Sequence, residues 1–155
     1  MGGVIVRGVT FAAGAPRVLM AGPCAVEGEE MIHAIAAAVA ASGGAFLRGG
    51  AYKPRTSPRD FQGIGAPALA WMRAAADAHG LGVVTEVLSE ADVDLVAGAA
   101  DIVQIGSRNA QNFALLRAVG ATGRPVLLQR GAAMPLRAWR GAVAHLRAGG
   151  ARDVI

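Results

Sequence analysis

Short apolar runs alternate along the chain with longer stretches in which apolar residues recur every three or four positions. The first pattern fits buried strands and the second amphipathic helices. Residues 18–21 predict a strand ending at Gly22-Pro23. Residues 29–41 predict a helix closed by Ser42-Gly43-Gly44. A strand at 45–47, a polar segment at 48–65 and a helix at 67–79 stopped by Gly80 follow. Residues 83–87 predict a strand, and Ser89 is expected to cap a helix at 90–97. The alternation continues with a strand at 102–105, a helix at 112–119, a strand at 126–128 and a helix at 136–148. Residues 153–155 begin another strand. Ahead of all this, the VIV and VTF segments predict a small hairpin.

Strands that alternate with helices imply parallel strands joined by right-handed crossovers. A doubly wound sheet and a (β/α)8 barrel both begin this way. The ends of the strands favour the barrel. Each runs into a polar or glycine-rich patch: GPCAVE, RGGAYKPRTSP, TEV, GSRN and QRG. A barrel spreads its chemistry around the C-terminal rim, whereas a doubly wound sheet concentrates it at one crevice. The expected fold is therefore α/β, a TIM (β/α)8 barrel truncated after about five strand–helix units. Residues 1–155 are expected to be one partial barrel domain. Residues 1–17 form an N-terminal β-extension, and 18–155 carry barrel units one to five with the start of strand six. A complete barrel takes about 250 residues, so the 155-residue chain is expected to be a fragment.

Composition narrows the function classes. Hydrophobic residues make up 54% of the chain and aromatics 5%, so Ala, Val and Leu must fill the core. The net charge is +4, and Lys53 is the only lysine among many arginines. No basic run interleaved with aromatics is present, so nucleic acid is not expected as a partner. No apolar stretch is long enough to span a bilayer, and the N-terminus lacks the build of a signal peptide. The single cysteine, Cys24, excludes an internal disulfide and points to a reducing, cytoplasmic setting.

The strand ends carry the candidate chemistry. Arg48, Lys53 and Arg55, with Thr56 and Ser57 behind them, lie in one segment stiffened by Pro54 and Pro58. Gly49-Gly50 permits close backbone approach. This density of cations and hydroxyls suits carboxylate and phosphate recognition. Ser107 and Arg108 follow Gly106 at another strand end and can hold a phosphate through backbone N–H and guanidinium. Cys24 is either a small buried hydrophobe or a metal ligand or nucleophile. His33, His79 and His145 fall on helical patterns and offer it no second ligand. Glu86 could position a substrate or water, but pairing with a rim arginine is the plainer expectation. Gln129 and Arg130 add polar contacts, while Trp71 and Trp139 pack.

In order, AGPCAVE, LRGGAYKPRTSP with DFQGIG, VVTEV, DIVQIGSRN-QNF and PVLLQRG resemble the first half of 3-deoxy-7-phosphoheptulonate synthases. The likeness is to the short bacterial class related to 3-deoxy-manno-octulosonate 8-phosphate synthase, and it covers the chain from Val18 onward. It implies a transferase on a (β/α)8 barrel that joins phosphoenolpyruvate to erythrose 4-phosphate, opening aromatic amino-acid biosynthesis by the shikimate route. By motif, Arg48 and the catalytic Lys53 would hold phosphoenolpyruvate. Arg55 and Thr56 would take the phosphate of erythrose 4-phosphate. Ser107 and Arg108 would contact the phosphate of phosphoenolpyruvate. Cys24 would bind a divalent metal such as manganese, iron, cobalt or zinc, whose remaining ligands would lie beyond Ile155. A homo-oligomer is expected for the full-length family. One departure is Gln129, which stands where the family carries a lysine against phosphoenolpyruvate. The alternative to an enzyme is a non-catalytic remnant or regulatory partner that retains anion binding.

Overall fold

A computed structural model describes residues 3–155; Met1 and Gly2, the start of the expected N-terminal extension, lie outside the described residues. The hairpin is present. Strands β1 (Val4–Val6) and β2 (Val9–Phe11) pair antiparallel, Val4 opposite Phe11 and Val6 opposite Val9. Arg7 and Gly8 make the two-residue turn, both with positive φ (49° and 79°), the geometry that matches strand twist in tight hairpins.

The main sheet contains β3 (Met20–Ala21), β4 (Phe46–Arg48), β5 (Gly82–Glu86), β6 (Ile102–Ile105) and β7 (Val126–Leu128), all parallel and in sequence order. Helices α1 (Glu29–Ala41), α2 (Ala66–Ala78), α3 (Val93–Ala99), α4 (Phe113–Ala121) and α5 (Leu136–Ala148) follow the strands in turn. Strictly sequential parallel order is the partial barrel expected from the alternation. The expected sixth strand starts to pair. Ile155 N–H donates to the Val126 carbonyl at 2.8 Å, and Val154 bridges Val126 in parallel. Between Met20 on one side and Val154–Ile155 on the other lies an open cleft of about 420 Å³, lined also by Val4, Phe11 and Val18.

Helix starts shift from expectation by one residue at α2 and α4 and by three at α3. Asn112 caps α4, its Oδ1 accepting from Leu115 N–H at 3.3 Å. Ser89 caps nothing: its hydroxyl donates to Asp92 Oδ2 at 2.8 Å. The segment after it is a 3₁₀ turn at Glu90–Asp92, and α3 begins only at Val93. The hydroxyl is oriented by this carboxylate and accepts from no backbone N–H of the turn that follows.

Strand alternation sorts side chains into two layers. Leu47, Val83, Val103, Ile105, Val126 and Leu128 face the helices and pack with Ile32, Leu69, Met72, Leu115 and Leu146. Phe46, Val84 and Ile102 face the other way and form a second core with Val6 of the hairpin. Phe11 stacks at a tilt on Phe46, ring centroids 5.8 Å apart. Phe46 and Ile102 open their strands, so the hairpin lies across the N-terminal end of the sheet. The same inner face, two residues further along, carries Arg48, Glu86 and Gln104.

Asp101, ahead of β6, ties this N-terminal end together. It accepts from Val83 N–H and Arg73, each at 2.8 Å, and pairs with Arg7 of the hairpin turn at 3.6 Å. Burial opposes its ionisation, but the Arg73 hydrogen bond, the Val83 N–H and the Arg73 and Arg7 charges outweigh that and hold its carboxyl below the usual range. A depressed carboxyl stabilises the fold above its unfolded pKa, and that support is lost as pH falls through the folded value. Asp101→Ala is expected to lose about 1.5–3 kcal/mol at pH 7, with the difference from the parent narrowing below about pH 4. Urea denaturation at both pH values measures this, and a pH-independent difference would contradict it.

Candidate anion-binding site

The inner face of β4, β5 and β6 changes from apolar to polar at the C-terminal ends of the strands. Arg48 Nε donates to Gln104 Oε1 at 3.1 Å, and its NH1 reaches the Pro23 carbonyl at 3.5 Å. Gln104 Nε2 in turn lies 3.5 Å from Glu86 Oε2. Glu86 and Gln104 are buried, 6% and 1% exposed. Burial pushes the Glu86 carboxyl up, against the charges of Lys53, Arg48 and Arg108 and a hydrogen bond from the Gly106 backbone. A Cβ on Gly106, the residue after β6, would stand 2.0 Å from Glu86 Oε1, so any side chain there would displace this carboxyl group. The expectation that Glu86 pairs with a rim arginine is corrected. Among the described residues Glu86 makes no ion pair, because the Gln104 amide stands between it and Arg48.

The segment after β4 folds back on itself. Lys53 N–H donates to the Gln62 carbonyl at 2.8 Å, Gly65 N–H to Ala51 at 2.9 Å, and Tyr52 bridges Gly63 antiparallel. Gly63 makes the return possible: its φ is 101°, and a Cβ there would meet the Ala51 carbonyl at 2.2 Å. Gly50 is equally required, since a Cβ would lie 2.7 Å from the Cys24 carbonyl and 2.8 Å from Lys53 Cδ. This packing turns Lys53 inward, to 7% exposed. Arg108, in the 3₁₀ turn Ser107–Asn109 after β6, donates through NH1 to the Pro54 carbonyl and so links two loops of the rim. Arg55 donates to the Phe61 carbonyl at 3.3 Å and is otherwise exposed.

Cys24, just past β3, is exposed and close to Lys53. The hydrogen bond with Lys53 and its charge draw the thiol pKa down, with Arg48 and Arg55 adding to them and burial opposing. Alkylation by iodoacetamide is therefore expected to reach half its limiting rate at a lower pH than the roughly 8.5 of a free thiol. Lys53→Met should move that midpoint back up. A midpoint that ignores the substitution would show that Lys53 does not set the thiol.

Strand ends thus bring together Cys24, Arg48, Lys53, Glu86, Gln104 and Arg108 by direct or charge contact. Ser107 and Gln129 stand at the same rim and are exposed, Gln129 N–H donating to Ile105 at 3.0 Å; Thr56 is exposed on the folded-back segment. Gln104 is the member that sequence reasoning missed. An amide inside the apolar run DIVQI was the available signal. As a metal site the arrangement is incomplete: among the described residues no three His, Cys, Asp or Glu side chains converge. Cys24 has cations for neighbours, which favour its thiolate but repel a metal ion. Among the described residues, no helix is long and apolar enough to cross a membrane.

A parallel sheet in sequential order, with polar and cationic residues gathered at its strand ends, defines an α/β protein of the barrel type. The family model described as the DAHP synthetase I family matches residues 5–155. The chain belongs to that family. It is 56% identical over 113 residues to phospho-2-dehydro-3-deoxyheptonate aldolase of Thermotoga maritima, covering 73% of this chain and 33% of that protein. It is 34% identical over 148 residues to 2-dehydro-3-deoxyphosphooctonate aldolase of Nitratidesulfovibrio vulgaris, covering 91% of this chain and 54% of that one. The crystal structure of the Thermotoga maritima DAHP synthase superposes with a TM-score of 0.92 at 43% identity, over 99% of this chain and 44% of that one. A truncated form of the synthase from the same organism gives 0.83 at 41% identity, over 94% and 52%. The chain spans between a third and just over half the length of these relatives.

Proposed function

We propose that this chain carries the phosphoenolpyruvate-binding part of a 3-deoxy-7-phosphoheptulonate synthase, the transferase that opens the shikimate route to aromatic amino acids. The observation that carries the reading is Lys53, a buried cation beside Arg48 and Arg108 with no carboxylate in ion-pair contact among the described residues. A buried charge with no carboxylate partner suits an anionic ligand that supplies one. In this reading Arg48 and Lys53 hold the carboxylate and bridging region of phosphoenolpyruvate. Arg108 and the Ser107 backbone N–H hold its phosphate, with Gln129 alongside. Arg55 and Thr56 face outward to receive the phosphate of erythrose 4-phosphate. The enol carbon attacks the sugar aldehyde, forming the C–C bond. Water adds at the neighbouring carbon, and phosphate leaves as that carbon's bond to oxygen breaks. Fixed cations offset the repulsion between two phosphates and a carboxylate throughout. The resemblance implies a divalent metal that would supply Lewis-acid polarisation of the aldehyde; Cys24 would offer it one thiolate, and further ligands would be needed to hold it against the neighbouring cations. A cytoplasmic setting and a homo-oligomer belong to the same reading; the lone cysteine supports the first and the resemblance the second.

Calorimetric titration tests the site. Phosphoenolpyruvate is expected to bind at least about tenfold more tightly than pyruvate, because the phosphate adds charge-assisted contacts. Equal affinity for the two would refute the assignment. Phosphate release that depends on erythrose 4-phosphate then separates catalysis from binding alone.

A further inference from the structure

Gln104 is a neutral side chain placed between opposite charges. It is the third residue of β6, whose other members, Ile102, Val103 and Ile105, are apolar. A buried amide must find partners or carry the cost of lost hydration. Here both ends of the amide are used: Oε1 accepts from Arg48 Nε at 3.1 Å, and Nε2 is turned to Glu86 Oε2 at 3.5 Å. Strand register sets this up. Gln104 is directly opposite Glu86 on β5, and Arg48 on β4 is opposite Val84, two residues before Glu86 on the same face. Arg48 and Glu86 are thus diagonal neighbours on adjacent strands, within reach of one another for long side chains.

We propose that Gln104 is the positioning residue of this site, holding Arg48 available to an anionic ligand by preventing its collapse onto Glu86. The inference rests on the phosphoenolpyruvate reading given above. The chemistry of the alternatives makes the case. A carboxylate at position 104 would accept from Arg48 but would cancel its charge. An apolar side chain would leave Arg48 and Glu86 to form a direct ion pair, cancelling the charge in another way. An amide does neither. Its oxygen fixes the roll of the guanidinium through Nε, and its NH₂ satisfies the buried acid without adding charge. With Nε occupied, the outer guanidinium nitrogens remain: NH1 makes only the long contact to Pro23, and NH2 makes none among the described residues. Gln104 itself touches no ligand in this scheme and acts through Arg48.

The test compares the parent chain with Gln104→Leu and Gln104→Met, each also in a Glu86→Gln background. Nitrogen-15 NMR follows the exchange of the Arg48 Nε–H, and calorimetry follows phosphoenolpyruvate. Gln104→Leu is expected to speed Nε–H exchange or shift its resonance to that of a carboxylate-paired arginine, and to weaken phosphoenolpyruvate about tenfold. Glu86→Gln should restore most of that affinity, because the competing partner is gone. A purely structural role would not be rescued this way. Gln104→Met gives the same readings if the leucine chain fails to fold. An Arg48 Nε–H signal unchanged in either folded variant overturns the proposal, as does an affinity loss that Glu86→Gln leaves intact. If the parent binds no phosphoenolpyruvate, the functional reading fails by itself, and the Nε–H signal still decides the role of Gln104.

Discussion

Lys53→Met is expected to weaken phosphoenolpyruvate binding by a factor of about thirty to several thousand. Removing one member of a buried, hydrogen-bonded charge pair costs about 2–5 kcal/mol, and each 1.4 kcal/mol is a factor of ten. Lys53 meets the conditions for the large effect. It is 7% exposed, it is enclosed by the folded-back segment from Tyr52 to Gly63, and Gly50 packs against its stem. The exposed cations of the rim do not meet them. Arg55 and Arg108 are open to solvent, and exposed pairs are worth about 0–1 kcal/mol. Their alanine variants should therefore weaken binding only severalfold. Titrating the three variants side by side measures the ordering, and a loss for Arg55→Ala as large as that for Lys53→Met would show that burial is not what gives Lys53 its weight.

Phe46→Ala should be the most destabilising single change outside the site, by about 3–5 kcal/mol. The ring is fully buried on the inner face, where it meets Val6, Val84 and Ile102. Phe11 stacks on it, and the Gly82 backbone lies so close that a Cβ there would stand 2.4 Å from the ring. The glycine leaves room for the ring and the hairpin covers it, so truncation opens a cavity that neither can fill. Leu47→Ala, one residue on, deletes a smaller group from the helix side, where flexible Met72 can relax into part of the space. Urea midpoints of the two variants decide the matter; equal losses would mean that the hairpin core adds nothing beyond ordinary burial.

Much of this architecture was legible in the chain. The helices at Glu29–Ala41 and Leu136–Ala148 and the strands at Ile102–Ile105 and Val126–Leu128 fall where apolar spacing places them. In these segments, periodicity and stop signals agree. The strand expected at 18–21 shortens to Met20–Ala21: the register with β4 covers only these two residues, and Leu19, half exposed, contributes just its carbonyl, which accepts from Ala45 N–H at 2.9 Å. The site was legible as a list of cations at strand ends. Its wiring was not. Gln104 meets Arg48 across 56 positions and Glu86 across 18, and no local pattern encodes either meeting. The same gap explains the expectation for Glu86: charge complementarity suggests an arginine partner, whereas the Gln104 amide reaches across β5 and takes the Arg48 Nε–H itself.

The hairpin has a consequence for traffic. Val6 and Phe11 plug the end of the sheet where the strands begin, and the cations stand at the end where they finish. Along the strand axis the inner face is therefore stopped by apolar side chains at one end and lined by cations at the other, and its side stays open between Met20 and Val154–Ile155. An anion approaching along the strands from the hairpin end would have to shed water against Val6 and Phe11. A few apolar residues far from Arg48 and Lys53 thus bias the direction of approach without touching what is bound.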